Sequence, residues 1–343
     1  MKLDIEDFDS LRHYLTRQGR LRHGENVSFM KLSGGVSNRT VKVSWQDGKA
    51  WVLKQALAKL RVNVDWFGNP DRIVVEAKAA RCLNCLAPRG TTPRFLFEDT
   101  ENHLMAMEAI SENSDNWKSL LLARQIIRNH FEQFGILLGT IHRHSSQAGS
   151  RISSEFADTS HFESLRLEPY YLYTAERIPR TADFYRALSR ETMHHRHSLV
   201  HGDFSPKNAL IYRDKLILLD YEVVHFGDPA FDVGFALTHF LSKANHLRTE
   251  RSRLATAALL FWNVYRKQVE SLEWVDELES RAVRHTLGCL LARVAGKSTL
   301  EYLTRQEAVR QQEVVLQLIN NNPSGIEDLI SEFIRKIEAY AEN

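Results

Sequence analysis

Cysteine is scarce. The 343 residues contain three, Cys82, Cys85 and Cys289, too few for a disulfide framework and leaving one unpaired in any pairing. Free thiols of this kind suit a reducing compartment. With eight prolines and sixteen glycines the chain is no loop-rich scaffold. Charge of one sign is missing as well. Lys and Arg total 45 against 43 Asp and Glu, a net charge of +2, which argues against a dedicated nucleic-acid binder. Long apolar runs are also absent, since the longest, Leu254 to Tyr265, is too short to span a bilayer. The first ten residues, MKLDIEDFDS, carry acids where a signal peptide needs a basic and then an apolar stretch. The expectation is a cytoplasmic protein with neither a nucleic acid nor a membrane as partner. What is present is ordinary globular texture, 43% hydrophobic and 26% charged, and enough length for two domains or lobes. Fifteen histidines do not by themselves make a metal site.

The pattern of apolar residues changes part-way along. Asp7 to Gln18 reads as a short amphipathic helix. Strands are expected at Asn26 to Leu32, Arg39 to Trp45, Ala50 to Lys54, Arg94 to Phe97 and His103 to Ala109, with Asp47-Gly48 as a hairpin turn. A helical run begins at Asp71 and carries Ile73, Val74, Ala77 and Ala80. From Asp115 onward helices dominate, apart from an island between Ser198 and Val224 where short apolar strands flank a polar loop. Strands first and helices second predict an α+β architecture of two lobes, not an alternating βαβ sheet. The division is placed at residues 1–109 and 110–343.

That island holds the sharpest chemical signal. It reads His201-Gly202-Asp203-Phe204-Ser205-Pro206-Lys207-Asn208, then two apolar strands, then Asp220-Tyr221-Glu222. Asp203 and Asn208 face each other across a loop that Pro206 stiffens, and Asp220 projects from the end of a strand. Asn208 and Asp220 offer oxygen ligands to Mg2+, a hard cation that bridges phosphates. Asp203 is placed to accept a proton from a substrate hydroxyl. An H-x-D-x-x-x-x-N loop followed by a strand and a second acid is the phosphoryl-transfer spacing.

On these residues the chain resembles the aminoglycoside phosphotransferase and choline kinase superfamily, from about Val27 to about Leu303. The resemblance implies a bilobal protein-kinase-like fold, with a strand-rich lobe built on an antiparallel sheet and a larger, mainly helical lobe. It implies an ATP- and Mg2+-dependent kinase that phosphorylates a hydroxyl of a small molecule, both lobes serving one reaction. Asp203 becomes the catalytic base and Asn208 and Asp220 the metal ligands. His201 holds the loop and Asp232 braces it from the start of a helix. In the first lobe Lys54 would meet the α- and β-phosphates, positioned by Glu76. The turn around Gly34, Gly35, Ser37 and Asn38 would cover the triphosphate with N–H groups. The backbone of Met107, Glu108 and Ala109 would receive the adenine.

Two features are similar to methylthioribose kinases in particular. One is Leu53-Lys54-Gln55-Ala56-Leu57 with Leu60-Arg61-Val62 and Asp65-Trp66. The other is Asp220-Tyr221-Glu222, in which Glu222 assists a second metal. Those enzymes carry an Arg-Arg pair late in the chain, where this sequence has Ala292-Arg293-Val294. Arg293 and Lys297 either hold an anionic or polyhydroxyl substrate or are solvated charges at a helix end. Tyr170 to Tyr173 either wall a substrate cleft or fill the core. A non-catalytic nucleotide-binding module is the alternative of another class, and the intact set Lys54, Glu76, Asp203, Asn208 and Asp220 argues against it. From Glu250 to Glu342 there are 14 acids and 12 Lys or Arg, no acidic surface for a polycationic acceptor. Cys82 and Cys85 have metal spacing but fall within a helix, where core packing is the expectation.

Overall fold

The computed structural model describes residues 3–32, 37–61 and 67–342. Gly34, Gly35 and the Asp65-Trp66 pair lie outside them. The chain divides into two units, one of Met1–Cys85 with Thr92–Asn113, the other of Leu86–Thr91 with Ser114–Asn343. The fold is α+β and bilobal.

The first unit is built on a five-stranded antiparallel sheet: β1 (Val27–Lys31), β2 (Asn38–Trp45), β3 (Ala50–Ala56), β4 (Phe95–Asp99) and β5 (Leu104–Glu108). Their order across the sheet is β1-β2-β3-β5-β4. Gly48, with φ of +87°, takes the left-handed position of the β2–β3 hairpin, where a side chain would be strained. Along β3 the period-two alternation separates two faces. Trp51, Leu53 and Gln55 are buried on the face that packs with Leu11 and Leu15 of the helix Phe8–Arg17. Lys54 lies on the opposite face, paired in register with Thr40 and Met105. The helix Arg72–Leu86 buries Ile73, Glu76, Ala77, Ala80 and Leu83, a stripe at helical spacing. Cys85 is exposed and Cys82 only half-buried, which corrects the core expectation: Leu83 fills the buried phase and turns both thiols away from it.

The second unit is a helical assembly around Pro229–His246, buried at every position from Pro229 to Asn245. Asp228 caps this helix by accepting the Ala230 N–H at 3.0 Å, with Pro229 in the first turn, where its missing N–H costs nothing. Neighbouring helices come close at small residues. Gly234 lies against His285 and Thr286 of Leu278–Ala295. Gly135 and Gly139 of Arg128–Gln147 lie against Phe261, Tyr265 and Gln268 of Arg251–Val269. Trp117, Phe131, Phe134, Phe240 and Phe261 interlock edge to face beside them. The strand island forms two small sheets: Ser198–Val200 pairs with His225–Gly227, and Ala209–Tyr212 pairs with Lys215–Leu218. Asp115–Asn116 adds a third strand to the latter, a pairing that its two residues are too few to signal in the sequence. No helix among the described residues is long and apolar enough to cross a membrane.

Alanine normally exceeds glycine in a helix by about 1 kcal/mol. At position 234 the order should reverse, because a Cβ there would meet His285 Cβ at 2.5 Å and the Thr286 nitrogen at 2.7 Å. Gly234→Ala is expected to lose about 1–3 kcal/mol in urea unfolding. A gain in stability would refute the close approach of the two helices.

Candidate active site

The polar loop after Ser198–Val200 is anchored from below. Asp232, in the first turn of Pro229–His246, accepts the His201 N–H at 2.6 Å and the Gly202 N–H at 2.8 Å. Its carboxylate is fully buried. His142 Nε2 lies 3.3 Å away, and Tyr265 Oη is 2.9 Å from His142 Nδ1. Burial alone would raise the Asp232 carboxyl. The His142 hydrogen bond, the nearby histidines and the loop N–H groups instead hold it below its ordinary value. Gly202 takes φ of +75°, and a Cβ there would press on Val223 at 2.8 Å. Phe204 stacks on Phe134 at 3.9 Å, so the loop is pinned on an aromatic ring immediately after Asp203.

His201 links both ends of the island. Its Nδ1 accepts the Asp203 N–H at 3.2 Å, and its Nε2 lies 3.2 Å from the Leu219 carbonyl. That arrangement needs a neutral ring with the proton on Nε2. Burial favours the neutral form and outweighs the pull of Asp232, Asp203 and Asp220, leaving the ring below its ordinary pKa. Asn208, at the end of the turn Pro206–Asn208, donates Nδ2 to Asp203 Oδ2 at 2.8 Å and to the Asp203 carbonyl at 3.0 Å. Its amide oxygen faces away from that contact. Asp220 leaves the strand Lys215–Leu218 with φ of +67°, a left-handed conformation that Asp tolerates better than most residues. Glu222 is buried two residues on. Asp203, Asn208, His201 and Asp232 therefore form one bonded group, and Asp220 and Glu222 lie near enough to act on the same cation, Arg166.

Arg166 was not singled out in the sequence, and it is the centre of the site's electrostatics. Its Nη2 pairs with Asp203 Oδ2 at 3.0 Å, its Nε donates to the Gly202 carbonyl at 2.7 Å and its Nη1 to the Leu165 carbonyl at 2.8 Å. Burial works against its charge, yet Asp203, Tyr170, Glu222 and Asp220 together raise its pKa. It sits on Glu163–Leu172, ten residues of π-helix containing Pro169. Such wide turns are rare and concentrate at functional sites. The one available signal was an arginine set between two leucines, Leu165 and Leu167.

In the first unit Lys54 Nζ meets Glu76 Oε1 at 2.5 Å, with Glu76 fully buried. Ser37 and Asn38 are buried where β2 begins. The Ser37 carbonyl accepts from the Leu57 N–H at 2.9 Å and from the buried Arg72 guanidinium. The Glu108 N–H donates to the Arg94 carbonyl and the Ala109 N–H to the Ala50 carbonyl, both at 2.9 Å. Those two donors are occupied within the sheet.

Arg293 is no solvated helix end. It is buried, with Nη1 donating to the Ser298 carbonyl at 2.7 Å and the guanidinium 5.4 Å from the Tyr170 ring and 5.7 Å from that of Phe235. Lys297 is exposed, 5.4 Å from the Tyr173 ring. Tyr170 and Tyr171 are core residues, the latter bonded to His285 Nδ1 at 2.7 Å.

A model of the phosphotransferase enzyme family (APH) matches residues 28–267. The chain belongs to that family. Over 243 residues it is 24% identical to a methylthioribose kinase of Klebsiella pneumoniae, across 63% of this chain and 60% of that enzyme's length. Among solved structures, Plasmodium vivax ethanolamine kinase superposes with a TM-score of 0.55 at 11% identity, covering 98% of this chain and 89% of that one. An amicoumacin kinase in complex with AMP-PNP, Ca2+ and its substrate gives 0.51 at 14% identity, covering 92% and 94%. The chain thus shares the protein-kinase-like fold of those enzymes.

Three buried histidines around the island, His201, His225 and His239, are held below their ordinary pKa, first of all by burial, His225 at about 4. Each is neutral when folded and takes up a proton when unfolded below about pH 6.5. The stability they confer is therefore complete above that value and is lost as pH falls below it, for His225 down to about 4, at up to about 1.4 kcal/mol per pH unit per group. His225 stacks on Phe162 at 4.1 Å, so His225→Phe should keep the stack and flatten the decline between pH 6.5 and 4 in urea titrations. An unchanged slope would exclude His225 as a source.

Proposed function

We propose that this phosphotransferase uses ATP and Mg2+ to phosphorylate a hydroxyl of a small molecule, with Asp203 as the base. The observation that carries the reading is Asp203 held by Asn208 Nδ2 at 2.8 Å and Arg166 Nη2 at 3.0 Å. The two contacts leave Oδ1 as the oxygen free to receive the hydroxyl proton.

The chemistry follows from those residues. Arg166 pairs with Asp203 and fixes its orientation. The Asn208 amide spends its N–H on Asp203 and keeps its oxygen for a metal. Asp220 and Glu222 supply further oxygens. An all-oxygen set with few protein ligands suits Mg2+, which completes its shell with water and phosphate. Among the described residues no three His, Cys, Asp or Glu side chains form a metal cluster. Bound there, the ion would neutralise phosphate charge. In the strand-rich unit Lys54, held by Glu76, would contact the α- and β-phosphates. As Asp203 takes the proton, the hydroxyl oxygen forms its bond to the γ-phosphorus and the bond to the β-phosphate oxygen breaks, releasing ADP. The related enzyme solved with AMP-PNP and Ca2+ supports a nucleotide and a divalent cation. A second reading, methylthioribose as acceptor, is favoured by the curated relative.

Asp203→Asn is expected to lower turnover by about 10²–10⁴-fold while the thermal stabilisation by Mg·ADP stays intact. Asp220→Asn should abolish the Mg2+ dependence of that stabilisation. Full turnover in the first variant would remove Asp203 as base. The Arg166 assignment has its own signature. Arg166→Met should lower kcat with KM for ATP little changed, and Arg166→Lys should restore part of kcat. A KM for ATP that rises together with the loss of kcat, or no rescue by Lys, would make Arg166 structural only.

A further inference from the structure

The helical unit holds a group of three cations, two of them buried and without a carboxylate partner among the described residues. Lys243 is fully buried on Pro229–His246. Among the described residues it donates one hydrogen bond, to the His239 carbonyl at 3.3 Å, and no carboxylate oxygen lies within 4 Å of it. Arg293 is 8% exposed and equally lacks a carboxylate. It contacts His239 Nε2 at 3.3 Å, and its Nε is buried with no hydrogen-bond partner. Lys118, 21% exposed, is at the rim and pairs with Glu301, whose side chain is 68% exposed. The Tyr302 ring lies 5.3 Å from Lys243 Nζ and 6.0 Å from Lys118 Nζ, its hydroxyl buried and unbonded. Buried charges are ordinarily paired, because desolvating a lone ion is costly. Here burial first, then the charges of Lys118 and Arg293, push the Lys243 ammonium down to about 7, with Glu301 opposing.

The group is tied to the reaction centre at two points. Tyr170, whose ring lies 5.4 Å from Arg293, is one turn from Arg166 on the same π-helix, and Arg166 pairs with Asp203. Asn116, which precedes the helix bearing Lys118, donates to the Lys207 carbonyl at 2.7 Å, next to Asn208. Lys207 itself contributes to the field that depresses His239, after burial and the charges of Arg293, Lys243 and Lys118.

We propose that Arg293, Lys243 and Lys118 seat an anionic group, a carboxylate or a phosphate ester, carried by the acceptor alcohol, which takes the place now held by the Glu301 carboxylate. The inference rests on the reading of the chain as a kinase of a small alcohol, and it names the class of that alcohol. Arg293 supplies a fixed planar donor, Lys243 a point charge at the floor and Lys118 one at the rim. The hydroxyl of the same molecule then reaches Asp203.

The test uses the full chain with Mg·ADP present and matched ionic strength. Inorganic phosphate, the hydroxy acid glycerate and the neutral triol glycerol are titrated separately, with the melting temperature as readout. Phosphate or glycerate should raise it in a saturable way and glycerol should not. A response to glycerate alone assigns a carboxylate, and one to phosphate alone a phosphate ester. Lys243→Met, Arg293→Gln and Lys118→Met should each weaken the apparent affinity by about tenfold, the scale of one charge-assisted contact. Glu301→Gln should strengthen it. Lys118 and Glu301 lie at the surface, so their opposite effects decide the matter even if a core variant does not fold. Equal responses to the anions and glycerol, no response to either anion, or unchanged affinities in Lys118→Met and Glu301→Gln would overturn the proposal. Each variant is also measured with Mg·ADP alone. Loss of that stabilisation in the unaltered chain would count against the kinase reading, while the anion titration would still report on the cluster.

Discussion

The buried carboxylate of Asp232 is the constraint on which the helical unit's chemistry rests. It is a charge in a place without water, and it is tolerated only because two consecutive loop N–H groups and a histidine surround it. Those same hydrogen bonds fix the backbone of His201 and Gly202. The loop's course is thereby set by a helix that is itself buried on all sides. The position of the Asp203 loop is thus inherited from a helix buried along its length, which is what the proposed chemistry would require.

From that anchor the polar groups form a connected chain. Asp232 fixes His201, His201 joins the Asp203 N–H to the Leu219 carbonyl, and Asn208 and Arg166 take the Asp203 carboxylate from two sides. Each partner leaves specific atoms unused, and those atoms define what the site can bind. The acidic side chains near Arg166 outnumber it, while a few residues away Lys243, Arg293 and Lys118 outnumber Glu301. Negative and positive fields are thereby segregated across one helix, the arrangement expected for a metal at one end and an anion at the other.

The reading from sequence succeeded where chemistry is local along the chain. Asp203 and Asn208 are five residues apart on one loop, and their spacing alone predicts the contact between them. The two lobes were legible from the change in apolar periodicity, and Lys54 and Glu76 from a strand end and a helical stripe. What sequence did not show depends on tertiary approach. Arg166 meets Asp203 across 37 positions, and His142 meets Asp232 across 90. No periodicity encodes such pairs. For Arg293 the alternative of a solvated helix-end charge stayed open because its stacking partners, Tyr170 and Phe235, come from two other helices. Cys82 and Cys85 misled for the opposite reason: a helix of low amphipathic contrast gave no phase, and Leu83 took the buried position.

The π-helical stretch Glu163–Leu172 adds chain without redirecting it. A π-turn holds more residues than an α-turn over the same arc. One side chain of that stretch faces Asp203 and another, four residues on, faces Arg293. With one residue fewer between them the segment would rewind as ordinary helix, in which three residues turn by about 300°, close to the arc the four cover now. The bearing of the two ends is therefore insensitive to that single residue, and the wide turn is the feature its deletion would remove.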